Sequence, residues 1–352
     1  MPNSTLDPVL DALCLPLMQG LLHWPGRGIF LRARAGKPLL QIPLPGLLCE
    51  QSFKPDADGL LAAGFALTEQ DNTQRYPLVL LLPPRQRDEA RALFARAVAM
   101  AQPDGRILAC APNVEGARSH AADLARIAGP VTTLSKHKCR VFWSGPVRDI
   151  DPALRVQWRE LDAMRPIADG RFISRPGVFA WDRIDAGSAL LAEHLPRSLR
   201  GRAADLGAGF GYLATELLSR CSAITALDLY EAEQRALDLA RLNLASFETR
   251  IALGYHWHDV TSGLPPAHEV GLPLAYDVIV MNPPFHVATG SSRPDIGRRF
   301  IAVAAQALRR GGRLWLVANR HLAYEAALAA GGLQARMVVQ QHGYKIIEAM
   351  RP

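Results

Sequence analysis

Asn282-Pro283-Pro284-Phe285 combines residue types that could do chemistry on a bound ring. It follows the apolar run Tyr276-Asp277-Val278-Ile279-Val280-Met281, whose Val and Ile content predicts a buried strand. Two consecutive prolines cannot continue a sheet ladder, so the strand must stop there and a stiff loop begin. Ligands bind at that carboxyl edge of an open α/β sheet. The loop offers the Asn282 side-chain oxygen, the Pro283 carbonyl and the Phe285 ring. A planar group carrying an NH2 has two hydrogens to give and a lone pair held in resonance. Asn282 and Pro283 can each accept one hydrogen, which encourages a pyramidal nitrogen and aims its lone pair for in-line attack. Phe285 would stack on the ring. No strong base is needed, and His286 reads equally as a loop residue making one hydrogen bond.

A second set lies upstream. Arg202 to Leu213 reads as strand, tight turn and helix around Asp205-Leu206-Gly207-Ala208-Gly209-Phe210-Gly211. The three glycines permit positive φ and close approach of backbone to a ligand. Tyr212 stands where a dinucleotide fingerprint needs glycine, which argues against a nucleotide-dependent oxidoreductase. Asp205 before the loop suits a cation better than a phosphate. Ala223 to Leu227 then predicts a strand ending at Asp228, placed to accept from two ribose hydroxyls. Asp259, in Trp257-His258-Asp259-Val260, is either an acceptor for an adenine amino group or a turn cap. A ligand with an ammonium, a sulfonium, a ribose and an adenine fits this order of residues, and S-adenosylmethionine carries all four. His256 and His258 read as strand-edge residues, and no metal site is expected.

The elements that position these groups occur twice. Tyr276 to Pro284 matches Tyr76 to Pro84 position for position, each followed by a predicted helix (Asp88–Ala101 and Ile296–Leu308). Gly311 to Asn319 then echoes Gly105 to Asn113, and His342 to Met350 echoes Lys136 to Trp143. An internal duplication of one α/β unit follows. Leu82 falls opposite Asn282, and the glycine loop has no partner upstream of Tyr76, Gly26-Arg27-Gly28 being the nearest. Reaction chemistry is therefore expected in the second copy. Pro and Gly punctuate the first 70 residues, which predicts short strands and turns there rather than long helices. Residues 1–150 form the first expected domain, 151–175 a linker with a short helix at Arg155–Met164, and 176–352 the second domain.

At 352 residues, 49% hydrophobic and 21% charged, the chain has ample core for two domains. The five cysteines are scattered without a C-x-x-C pair, against a zinc site or a disulfide framework and in keeping with a reducing cytoplasm. No apolar run approaches the ~20 residues of a membrane span, and Met1 to Leu17 lacks the basic start of a signal peptide. A net charge of +7 suits a polyanion such as RNA. Lys136, Lys138 and Arg140 in the first copy and Arg293 after the Asn282 loop are the candidate phosphate contacts.

Arg175-Pro176-Gly177-Val178-Phe179 with Asp185 and Gly187, the Asp205–Gly211 loop and Asn282-Pro283-Pro284-Phe285-His286 together resemble the tandem-domain bacterial ribosomal RNA guanine-N2 methyltransferases of the RsmC/RlmG type. The resemblance covers most of the chain, with Ala208 where many relatives carry cysteine. It implies two tandem Rossmann-like class I methyltransferase domains, the first degenerate and serving structure or RNA binding. It implies methyl transfer from S-adenosylmethionine to guanine N2, favouring 16S RNA in an assembled 30S particle. Phe179 and Asp185 would then close over the methionine end of the cofactor, packing and helix capping being the alternative. A monomer in the cytoplasm is expected. Methylation of large-subunit RNA, of adenine N6 or of a protein glutamine amide are the enzymatic alternatives. A non-catalytic RNA-binding protein would have no need of Asp205, Asp228 and Asn282.

Overall fold

The computed structural model describes residues 7–69, 73–148, 151–265, 275–284 and 294–352. Phe285 and Arg293 lie outside the described residues. The chain divides into two compact units, residues 1–163 and 164–352.

The first unit runs α1 (Pro8–Met18), β1 (Gly28–Leu31), α2 (Lys37–Leu40), β2 (Leu47–Glu50), α3 (Lys54–Ala62), β3 (Ala66–Leu67), β4 (Tyr76–Leu81), α4 (Arg87–Met100), β5 (Ala101–Pro112), α5 (Ala117–Ala128), β6 (Val131–Lys136), β7 (Cys139–Ser144) and α6 (Pro152–Arg159). The second runs β8 (Arg165–Ile167), β9 (Phe172–Ser174), α7 (Ala186–His194), β10 (Arg200–Leu206), α8 (Tyr212–Arg220), β11 (Ala223–Glu231), α9 (Gln234–Leu244), β12 (Ala252–Trp257), β13 (Tyr276–Met281), α10 (Pro294–Ala307), β14 (Leu308–Asn319), α11 (Glu325–Ala330), β15 (Gln334–Gln341) and β16 (Tyr344–Met350).

The main sheets have the same topology, β3-β2-β1-β4-β5-β7-β6 and β12-β11-β10-β13-β14-β16-β15. In each, the second-last strand of the order runs antiparallel to the rest. Even the irregularities agree. The ladder slips between Tyr76 and Leu78 against β5 and between Tyr276 and Val278 against β14. The pairings Leu78 with Arg106 and Val278 with Arg313 place Gly105 opposite Gly312 in the comparison of the two units, one residue from the alignment suggested by the sequence. A Cβ on either glycine would press on the carbonyl of Tyr76 or Tyr276, at 3.0 and 2.8 Å.

The central strands of each sheet are buried on both faces, as strands of a parallel sheet are. In the second unit one face packs Leu191, Leu217, Leu237, Val280 and Trp315, and the other Tyr230, Ile279, Phe300, Ile301 and Leu316. These central strands therefore read as continuous apolar runs.

The first 70 residues hold the expected short strands β1, β2 and β3 but also α1 and α3, helices of eleven and nine residues. Buried residues surround much of α1, which blurs its amphipathic period, and Pro16 lies within it. The 151–175 segment is not an extended linker. Helix α6 anchors Trp158, 3% exposed, in the core of the first unit, and β8 pairs antiparallel with β9 in the second.

Candidate active site at the sheet edge of the second unit

Strand β10 ends at Leu206, and the chain turns over Gly207, Gly209 and Gly211 with φ of 77°, 55° and 89°. Only glycine takes such angles without strain. The glycines do different work. A Cβ on Gly207 would sit 3.3 Å from Phe300, and one on Gly211 would sit 3.1 Å from Ala240. A Cβ on Gly209 would meet nothing within 4 Å, so the middle glycine turns toward open space where a ligand can approach the backbone.

Asp205 is fully buried beside this loop, and neither carboxylate oxygen has a hydrogen-bond partner. Burial first, and the nearby Glu231 carboxylate second, push its pKa up to about 8, with the Ala214 amide, outside hydrogen-bond geometry, opposing them. An orphaned buried acid beside a backbone turn open to solvent fits a cationic ligand, since a positive group there would relieve both the desolvation and the repulsion.

Asp228 requires a correction. Strand β11 continues three residues past it, so Asp228 lies inside the sheet rather than at its edge. Its carboxylate accepts from Arg202 Nε and Nη2 (3.0 and 2.6 Å) and from the Tyr276 hydroxyl (2.9 Å), and lies 3.1 Å from His256 Nε2. These hydrogen bonds outweigh burial and hold its pKa below the usual carboxylate range. Asp228 is a structural anchor with its acceptor sites taken. The acid at the strand end is Glu231. Its Oε2 accepts from the Gly209 amide at 2.7 Å and its Oε1 from the Glu233 amide at 2.8 Å. Burial raises its pKa, against those amides. Sequence reading missed Glu231 because an acid inside a strand looks like the end of one. The signal was present in Leu229-Tyr230, which prolong the apolar run.

Asp259 does cap a turn: its carboxylate accepts from the Thr261 amide at 2.8 Å and the Thr261 hydroxyl at 2.7 Å. His258 Nε2 pairs with the Gly263 carbonyl, so both histidines are engaged within the protein. Among the described residues no cluster of three groups could hold a metal ion.

Asn282 follows β13 directly. Its Nδ2 donates to Asp185 Oδ2 and to Ser188 Oγ, each at 2.9 Å. Asp185 is the N-cap of α7, accepting from the Ser188 amide at 2.8 Å. Simple packing does not account for Phe179, which is 62% exposed. Ser188 carries no motif of its own, and it reaches Asn282 across 94 residues of sequence.

In the first unit the same positions hold different residues. Strand register places Phe30 where Asp205 stands, Arg32 (φ 53°) where Gly207 stands, and Gln51 where Glu231 stands. The loop partner is thus residues 32–36, not Gly26-Arg27-Gly28. Arg34, at the place of Gly209, pairs with Asp7, the N-cap of α1, at 2.7 Å. Gln51 donates to the Ala33 carbonyl at 2.5 Å. Side chains of the chain itself occupy the turn that is open beside Gly209 in the second unit.

Lys136 and Lys138 are exposed at the tip of the β6–β7 hairpin, where His137 and Lys138 take positive φ, and Arg140 is partly buried in β7. The methyltransferase small domain model matches residues 169–348, slightly more than half of the chain. The chain belongs to the methyltransferase small domain family. Within that family it is similar to the ribosomal RNA small subunit methyltransferase C of Shewanella amazonensis, 28% identical over 78% of this chain and 77% of that protein. It is also similar to the ribosomal RNA large subunit methyltransferase G of Streptomyces avermitilis, 31% identical over 64% of this chain and 58% of that protein, less than two thirds of its length. The T. thermophilus 16S rRNA N2 G1207 methyltransferase, solved with AdoMet and guanosine, superposes with a TM-score of 0.79 over 99% of this chain and 93% of that one at 22% identity. The α/β fold with two methyltransferase-like domains is therefore common to both chains.

Proposed function

We propose that this chain transfers a methyl group from S-adenosylmethionine to the exocyclic N2 of a guanine in ribosomal RNA, and that the RNA is 16S within the small subunit. The observation carrying the reading is Asn282. Both of its N–H groups are spent on Asp185 and Ser188, so its side-chain oxygen remains to accept from a target. Asp185 is an acceptor, which fixes the amide assignment on chemical grounds.

S-adenosylmethionine, when bound, supplies the electrophilic methyl. The residues of the chain bind and orient. Asp205 answers the positive charge, the Gly209 backbone gives room, Glu231 takes the ribose acceptor role first expected of Asp228, and Asp259, besides capping its turn, accepts from the adenine amino group. Phe179 covers the methionine end. At the reacting atom, Asn282 Oδ1 and the Pro283 carbonyl accept the two N2 hydrogens and turn the nitrogen lone pair toward the methyl. Phe285 stacks on the base. The product cation is acidic enough to release its proton to water. A target inside a helix must first leave its stack.

The family match, the RNA-methylating relatives, and the fold shared with a guanosine-bound enzyme support this reading. The small-subunit choice follows the relative covered over the larger share of its length. The first unit, with its cofactor positions replaced, serves RNA binding through Lys136, Lys138 and Arg140, with Arg293 as a further phosphate contact. Among the described residues no helix is long and apolar enough to cross a membrane, and we place the enzyme in the cytoplasm as a monomer.

Transfer of labelled methyl to 30S particles, 50S particles and naked RNA, followed by nucleoside identification, tests the proposal. N2-methylguanosine in 30S particles is expected. Label in 50S RNA would move the target to the large subunit. Label in protein or in N6-methyladenosine would overturn the assignment.

A further inference from the structure

Resting on that reading of the site, we infer that Asp185 and Ser188 are positioning residues that fix which way the Asn282 amide faces, and so make the loop select an amino donor. A side-chain amide has an oxygen and a nitrogen of nearly equal size related by a half-turn. Unrestrained, Asn282 would offer N–H groups in one orientation and an acceptor in the other. N–H groups facing an NH2 target would repel it and leave its lone pair misdirected. With Nδ2 donating to Asp185 Oδ2 and Ser188 Oγ, both at 2.9 Å, the inverted orientation would set Oδ1 against a carboxylate. Ser188 is 8% exposed, so a lost bond there is not readily replaced by water.

Capping of α7 does not by itself explain this arrangement. The first unit carries a natural comparison. Asp7 caps α1 through the Val9 and Leu10 amides, at 3.0 and 3.1 Å, as Asp185 caps α7. The residue three after the cap is Leu10 in place of Ser188, and the residue after the β4 strand is Leu82 in place of Asn282. Leu10 and Leu82 belong to one apolar cluster. The unit without the amide has kept the cap and lost the serine, so capping and clamping separate.

Three variants test this. Ser188→Ala removes one acceptor and leaves the cap intact. Asp185→Ser keeps a capping hydroxyl on a side chain too short to reach Asn282. Ser188→Thr restores the hydroxyl. In single-turnover assays on RNA with labelled S-adenosylmethionine, each of the first two should lower the rate about tenfold, the effect of one oriented hydrogen bond. In Ser188→Ala cofactor affinity and Tm should hold, and Ser188→Thr should recover most of the rate. In an Asn282→Ala background, Ser188→Ala should cost nothing further, whereas an equal loss in both backgrounds would overturn the clamp. A second readout needs no RNA. With selective 15N-asparagine labelling, the Asn282 side-chain amide protons should exchange with water at least tenfold faster in the Asp185→Ser/Ser188→Ala double variant than in the parent. Equal exchange overturns the clamp. Protected exchange in a parent that methylates no guanine N2 supports the clamp and overturns the substrate assignment instead.

Discussion

Glu231 Oε2 accepts the Gly209 amide at 2.7 Å, joining the acid at the end of β11 to the middle glycine of the loop after β10. One carboxylate thus shapes the turn. Glu231→Ala should weaken S-adenosylmethionine binding by one to two orders of magnitude, about 1.4–2.8 kcal/mol, in calorimetric titration. Asp228→Ala should act on stability. It strips the carboxylate from the largely buried Arg202, costing about 3 kcal/mol in denaturant unfolding. Equal loss of cofactor affinity in both variants would return the ribose role to Asp228.

Asp205 makes the cofactor-free protein sensitive to pH. Its folded pKa of about 8 lies above the value of an exposed aspartate, so the native state holds a proton that the unfolded state releases. Its contribution to stability is fully present below about pH 4 and is lost as pH rises toward 8. Asp205→Asn should flatten the fall in Tm between those limits. Cofactor affinity should move the other way, rising from pH 6 toward 8 as the acid ionises, with proton release on binding. Calorimetry in buffers of different ionisation enthalpy reads that release directly.

Asn282→Ala should keep the cofactor Kd within about twofold and lower methyl transfer about a hundredfold or more, the effect expected of removing one preorganised group. Unchanged transfer would remove Asn282 from the mechanism.

The first unit should bind no cofactor, since Arg34 reaches Asp7 across the equivalent turn and Phe30 replaces the acid. Titration of the whole chain should give one equivalent, and Glu231→Ala should weaken that single event.

Lys136→Ala with Lys138→Ala should weaken RNA binding at every sequence tested. The slope of log K against log salt should fall by about 1.4 to 1.8. An unchanged slope would place the RNA elsewhere.

The parallel sheets, the duplication and the glycine loop were legible because each rests on local pattern. Apolar runs ending at Pro-Pro mark β4 and β13, and positive φ demands glycine at 207, 209 and 211. What stayed hidden depends on register or on distance along the chain. Asp228 and Glu231 both follow apolar residues, and pairing with β12 through Trp257 settles what Leu229-Tyr230 only hinted, that Glu231 ends the strand. Ser188 is an ordinary helix residue until Asn282 arrives beside it. Helix α1, packed on much of its surface, lacks the polar face by which helices are read from sequence.

The solitary carboxylate under the glycine loop also ties the protein's lifetime to methyl-donor supply. A cation that settles Asp205 binds only the folded chain, and so stabilises it by mass action. Protein starved of donor lacks that stabilisation and should be the form first cleared by proteolysis, so that the amount of this chain would follow the supply of its own cofactor.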